Sequence, residues 1–118
     1  MLSQINRFHG HGSLRFVYKN GQAVRTQRLT LKYIANPRRK HSRFAVVISK
    51  KVLKSAVGRN RVRRRIYEII RAEFVKFGSN HDVVVLVFSS EIAHLPHEEL
   101  LQTLRDMFAE AGLYRRSR

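Results

Sequence analysis

Apolar and polar positions recur with two different periods along the 118 residues, and the change from one period to the other marks out the elements. Leu29, Leu31 and Tyr33 alternate with Thr30 and Lys32, which predicts a half-buried strand. Phe44 to Ser49 is an unbroken run, as expected of a central strand covered on both faces, and His81 to Ser89 supplies a second. Three segments carry the helical period instead. Leu14, Phe16, Val17 and Tyr18 suggest a short helix that Ser13 would cap and Gly21 would end. A long helix is predicted from Ala56 to Phe77, capped by Ser55, with Val62, Ile66, Ile69, Ile70, Phe74 and Phe77 on one stripe. The last helix starts near Pro96, with Glu98 and Glu99 at its positive end. Its apolar face is Leu100, Leu101, Leu104, Met107, Phe108 and Ala111, and Gly112-Leu113 resembles a Schellman ending.

The predicted order is therefore α-β-β-α-β-α, and the fold class is α+β, with helices packed on a small sheet. The second strand, the long helix and the third strand would form a βαβ unit. Asn36-Pro37, followed by Arg38, Arg39 and Lys40, reads as an exposed turn. No repeat or linker interrupts the chain, so residues 1–118 are expected to form a single domain, large enough to hold a core unaided.

Charge changes this picture. All eight Asp and Glu residues lie at or after Glu68, whereas 18 of the 24 Lys and Arg residues precede it. A folded half this basic repels itself unless it faces a polyanion, and phosphate backbones are the commonest partner. The densest stretch runs from Lys50 to Arg65 and holds eight cations without one acid: Lys50, Lys51, Lys54, Arg59, Arg61, Arg63, Arg64 and Arg65. Arginine forks bind phosphate bidentately, and Asn60 adds a donor and an acceptor able to read a base edge or a 2′-hydroxyl. Arg59, Arg63 and Arg64 are expected to cluster away from the apolar stripe of their helix.

Several chemistries are disfavoured. The chain has no Cys, hence no disulfide and no thiolate site. His9 with His11, or His94 with His97, invites a zinc reading, but the chain has no Cys and the first pair has no Asp or Glu nearby, so no metal site is expected. A two-metal protein nuclease needs clustered carboxylates, and the basic half has none, so no catalytic residue is assigned to the polypeptide. The longest apolar run, Val83 to Phe88, is too short to span a bilayer. Arg7, His9 and Gly10 break up any signal-peptide core, so a cytoplasmic location is expected. Membrane-surface binding would need the apolar face that the core requires. Composition alone leaves open a ribosomal protein, an RNA chaperone or a DNA-binding protein.

The sequence is more specific. Ser49-Lys50-Lys51, seven residues, then Arg59-Asn60-Arg61-Val62-Arg63-Arg64 resembles the signature of the bacterial ribonuclease P protein subunit. Asn6-Arg7-Phe8, Leu14 to Tyr18, Gly21, and Val83 to Phe88 followed by an amphipathic helix are similar to the same family. The resemblance implies an α-β sandwich with a left-handed βαβ crossover, which periodicity would not suggest because right-handed crossovers dominate. It implies that Lys50, Lys51, Lys54, Arg59, Asn60, Arg61, Arg63 and Arg64 face the catalytic RNA of a holoenzyme. It implies a cleft for the single-stranded 5′ leader of precursor tRNA, with Tyr18 at an aromatic position and Arg7, Phe8, Arg15 and Lys32 as further candidates. Leu14 stands where the family often has Phe. The implied activity is endonucleolytic tRNA 5′ maturation, with hydrolysis on the RNA and Mg²⁺ held mainly by RNA phosphates. The implied partners are that RNA and precursor tRNA, with no membrane and no protein partner required.

Overall fold

The computed structural model describes residues 11–38, 41–78 and 80–115. Helix α1 (His11–Asn20) leads into the strands β1 (Gln22–Arg25), β2 (Leu29–Ala35) and β3 (Arg43–Ile48). Helix α2 (Ala56–Glu73), strand β4 (His81–Val87) and helix α3 (His97–Glu110) follow, with 3-10 turns at Phe74–Lys76 and Ser90–Ala93. The strands form one mixed sheet in the order β1-β2-β4-β3. β1–β2 and β2–β4 are antiparallel, whereas β3 and β4 run parallel around α2 and complete the βαβ unit. The α+β class and the helix-on-sheet architecture are those predicted.

Strand alternation divides the work between two layers. Leu29, Leu31, Phe44, Val46, Ile48, Val83, Val85 and Val87 face α2 and α3, whose Val62, Ile66, Ile69, Ile70, Leu100, Leu104 and Phe108 complete the main core. Each such side chain taken from water contributes about 1.5–3 kcal/mol. Among the described residues the opposite face is covered by α1, through Val17 against Ala45 and Val84, with Leu14, Ile34, Val47 and Leu86 only partly buried around them. Two helices pack on one side and a single short helix on the other, so the described residues cover the second face only in part.

Four local expectations are corrected. β1 was not expected, because only Val24 of its four residues is buried; Val24 pairs with Leu31 across a hairpin held by the Thr26 N–H donating to the Leu29 carbonyl at 2.8 Å. α1 already begins at His11, so Ser13 lies inside its first turn instead of capping it. Thr30 is buried as well as its neighbours, because β2 is an inner strand of the sheet. α2 stops at Glu73, and a 3-10 turn swings Phe77 into extended backbone. There its ring stacks on Phe44 at 5.3 Å and on Tyr114 at 5.5 Å, which a continued helix would forbid.

The ends of the other elements follow their chemistry. Ser55 caps α2 by accepting the Gly58 N–H at 3.1 Å. Gly112 takes φ +73°, the Gly112 N–H donates to Ala109 and the Leu113 N–H to Phe108, a complete Schellman motif. Ser89 does not extend β4 but accepts the Glu91 N–H to start the second 3-10 turn. Gly21 lies so close to β2 that a Cβ would stand 2.6 Å from the Val17 carbonyl oxygen and 2.8 Å from that of Tyr33. No helix among the described residues is long and apolar enough to cross a membrane.

Candidate nucleic-acid interface

The loop leaving β3 is built around its own backbone. Val52 and Leu53 both donate N–H bonds to the Ser49 carbonyl, at 3.1 and 3.2 Å, which folds the chain tightly and leaves Lys50, Lys51 and Lys54 exposed. Arg59 then reaches back from the first turn of α2, and its guanidinium donates to the carbonyls of Leu53 at 2.8 Å and Lys54 at 2.9 Å. It is half-buried in that position. Arg59 therefore does not stand apart from the inner side of the helix as expected; it is the clamp that fixes the lysine loop.

The remaining arginines divide by helical phase. Arg61 and Arg64 are exposed on the face opposite Val62 and Ile66, along with Asn60. Arg63 stands on the flank, half-buried, and donates to Asn60 Oδ1 at 2.9 Å. That bond orients the amide, whose two N–H donors have no acceptor among the described residues. Arg65 turns the other way and holds the second 3-10 turn through the carbonyls of Ile92 and Leu95. The eight cations thus split: two are internal braces, and six project on the loop and the outer helix. Among the described residues none of the eight is paired with a carboxylate. Arg59 and Arg65 keep their charge, but the backbone carbonyls hold their guanidinium groups away from the outer face of the helix.

The second group of candidates lies on the other face of the sheet. Val17 is 1% exposed and sits centrally, so Leu14, Arg15 and Tyr18 share one shoulder of α1. Tyr18 is 36% exposed, and partial burial pushes its hydroxyl pKa above the ordinary value. Lys32 crosses from β2 to donate its Nζ to the Tyr18 carbonyl at 3.2 Å, which holds the end of α1 over the sheet. Tyr18 and Lys32 are brought into contact, and Arg15 shares the Tyr18 shoulder by helical phase; Arg7 and Phe8 lie outside the described residues. Two exposed aromatics were missed. Phe88 continues the parity of Leu86 at the end of β4, and Phe16 emerges from the far shoulder of α1. The signal for Phe16 was present, since Phe16, Val17 and Tyr18 are consecutive and a helix can bury only one of three such neighbours fully.

The acids are placed as structural partners. Asp82 is buried and receives two bonds from Arg43, at 2.9 and 2.7 Å, and one from the Asn36 amide at 2.9 Å. Glu73, 2% exposed, accepts from Arg105 at 3.1 Å, Tyr114 at 2.8 Å and Lys76 at 3.1 Å. Burial works to raise its pKa, but these bonds and the Arg105 charge outweigh it and hold the carboxyl below the ordinary range. Among the described residues no three His, Cys, Asp or Glu side chains gather as metal ligands.

The sequence model of the ribonuclease P family matches residues 2–112. A ribonuclease P protein component from a Pseudanabaena species is 32% identical over 112 residues, covering 94% of this chain and 95% of its own. That of a Synechocystis species is 32% identical over 97 residues, covering 82% and 77%. In three dimensions the chain is similar to a Staphylococcus aureus RNase P protein, a mutant described as defective in mRNA degradation, with TM-score 0.84, 21% identity, and 94% and 92% of the two chains covered. The Thermotoga maritima RNase P protein superposes with TM-score 0.78 at 20% identity, covering 88% and 96%. A basic α2 set on an α+β sandwich and matched over nearly its whole length by these proteins makes this chain a member of the bacterial ribonuclease P protein family.

Proposed function

We propose that the chain acts as the protein subunit of a ribonuclease P holoenzyme, docking on the catalytic RNA and holding the single-stranded 5′ leader of precursor tRNA. The observation that carries this reading is the set of six projecting residues, Lys50, Lys51, Lys54, Arg61, Arg63 and Arg64, none paired with a carboxylate among the described residues. In this reading α2 and the lysine loop lie along RNA phosphates, where released counterions supply the affinity. Asn60, oriented by Arg63, contributes donors to a 2′-hydroxyl or base edge. Arg59 serves the interface indirectly, by fixing the loop that presents the lysines.

The leader lies on the opposite face of the sheet, along the shoulder carrying Tyr18, Arg15 and Lys32. Stacking on an aromatic ring contributes roughly 1–3 kcal/mol per base and tolerates any base, which suits leaders of varied sequence. Hydrolysis of the phosphodiester belongs to the RNA in this reading. The described side chains do not fit a Mg²⁺ cage, since no carboxylate cluster forms and the buried Asp82 and Glu73 are committed to cationic and hydrogen-bonding partners. The ion's ligands would be RNA phosphates, and the polypeptide contributes positive charge that eases the approach of two polyanions.

The test is reconstitution. Purified protein, a bacterial ribonuclease P RNA and a leader-bearing precursor tRNA are mixed at low Mg²⁺, together and with each component omitted. Cleavage to the mature 5′ end only when protein and RNA are both present supports the assignment. Trimming by the polypeptide alone, rigorously freed of nucleic acid, overturns it.

A further inference from the structure

Helix α1 places Phe16, Val17 and Tyr18 in succession, about 100° apart around its axis. With Val17 seated on the sheet, the two aromatic rings leave on opposite shoulders. The function proposed above uses the Tyr18 shoulder. On the other, Phe16 remains 54% exposed and presents a large apolar ring to solvent.

Phe16 forms one wall of a groove of about 510 Å³ whose remaining surface includes Asn36, Pro37, Arg38 and the Arg43–Asp82 pair. The volume lies in the range that admits a small planar ligand. Its chemistry is divided in a particular way. Phe16 and Pro37 are flat and apolar. Arg38 is exposed and has no ion-pair partner among the described residues. Asn36 donates its amide to Asp82, which leaves the Asn36 Oδ1 as an acceptor without a donor among the described residues. The Asp82 carboxylate is neutralised by the two Arg43 bonds, so it offers little repulsion to an incoming anion and keeps that side of the groove rigid.

An aromatic wall, an amide acceptor and one exposed guanidinium match a nucleobase with an N–H donor on its edge, such as the N3–H of uracil, and an adjoining phosphate. An acidic peptide would satisfy Arg38 but not the flat apolar pair. The absence of any acid in the first 67 residues gives the surroundings the sign a nucleic acid requires. We propose that this groove is a second single-stranded RNA subsite, which takes one unpaired nucleotide with its base on Phe16 and its phosphate on Arg38. The proposal rests on the RNA-binding reading above and adds a site on the shoulder of α1 opposite Tyr18.

The test uses the full chain and an octauridylate RNA carrying one 5-iodouridine. Ultraviolet irradiation followed by mass mapping is expected to give an adduct on the Phe16 peptide. Phe16→Ala should weaken binding of the unmodified octamer by about fivefold to 150-fold, the range of a lost base–aromatic stack. Phe16→Tyr should restore binding, and Arg38→Ala should weaken it and flatten its salt dependence by about one phosphate contact. Melting of Phe16→Ala should match wild type, because the ring is exposed. Wild-type octamer affinity in Phe16→Ala, or adducts found only on other peptides, overturns the subsite. In parallel, affinity for ribonuclease P RNA separates the two ideas. If wild type binds that RNA while Phe16→Ala leaves octamer binding unchanged, only the groove falls. If wild type binds neither RNA, the functional reading falls with it.

Discussion

Arg59 and Arg61 are two residues apart in one motif, and the structure assigns them opposite costs on removal. Arg61 is exposed and has no partner among the described residues, so Arg61→Ala should change stability by no more than about 0.5 kcal/mol. If it contacts one RNA phosphate, its loss removes about 0.7–0.9 from the slope of log K against log salt. Extrapolated from 1 M, where the difference vanishes, that amounts to about a five- to eightfold loss of affinity at 0.1 M salt. Arg59→Ala removes two bonds, of 2.8 and 2.9 Å, from a charged donor to the carbonyls of Leu53 and Lys54. Water can reach both oxygens once the side chain is gone, so a loss of about 1–2 kcal/mol is expected, near the lower end for charged hydrogen bonds. For a domain of this length about 1 kcal/mol corresponds to roughly 4 °C, so melting should fall by about 4–8 °C. The assay is filter binding to ribonuclease P RNA between 0.1 and 1 M salt, beside thermal melting followed by circular dichroism. Unchanged slope in Arg61→Ala would show that the projecting face is not the docking surface. Wild-type melting in Arg59→Ala, combined with the same affinity loss as Arg61→Ala, would refute the division of labour.

Other substitutions test the remaining parts. Tyr18→Ala should weaken binding of leader-bearing precursor by about 1–3 kcal/mol while leaving mature tRNA unaffected, and equal effects on the two substrates would remove Tyr18 from the leader path. Glu73→Gln should destabilise the fold at neutral pH by about 1–3 kcal/mol, since three donors lose a charged acceptor. The folded Glu73 carboxyl is more acidic than in the unfolded chain, so its contribution is complete above roughly pH 4.3 and is lost as pH falls through the folded value. Denaturant unfolding at pH 7, 5 and 3 should therefore show the gap between Glu73→Gln and wild type narrowing towards acid; a constant gap would contradict the assignment. Gly21→Ala drives a Cβ to within 2.6 Å of one backbone oxygen and 2.8 Å of another, neither of which can rotate away. A loss of about 2 kcal/mol or more is expected, and melting within 2 °C of wild type would refute it.

What sequence pattern can reveal is limited by what periodicity measures. The stripe Val62, Ile66, Ile69, Ile70 is legible because burial on one helical face repeats, whereas the alternation along β2 finds the strand but not the burial of Thr30 on its second face. Phe77 satisfies the arithmetic of that stripe and yet is not helical. Its seat is decided by Phe44 and Tyr114, 33 residues before it and 37 after, and spacing carries no information about partners so distant. β1 escapes for the reverse reason, because a four-residue edge strand with one buried side chain has no period to detect. In the site, composition locates the arginine helix but cannot rank its members. Arg59, Arg61 and Arg65 are chemically identical, and only the carbonyls of Leu53, Lys54, Ile92 and Leu95 distinguish a brace from a contact.

The uneven placement of acids along the chain has a structural counterpart that bears on mechanism. Among the described residues the early cations Arg28 and Arg43 meet acids, Glu91 and Asp82, and those acids come from the second half. Glu68 pairs with Arg71 on its own helix, and Glu73 gathers Lys76 and Arg105 at the far end of α2. Every one of these contacts lies away from the first two turns of α2 and the loop before it. Folding thus spends its negative charge where elements must be joined and withholds it from the surface between Lys50 and Arg64. A surface left uncompensated in this way costs self-repulsion in the free protein, which falls as salt rises. Docking on a polyanion relieves the same repulsion. The free protein should therefore gain stability with added salt over the range in which its complex with RNA loses affinity, and melting of the two species against ionic strength would expose the opposition.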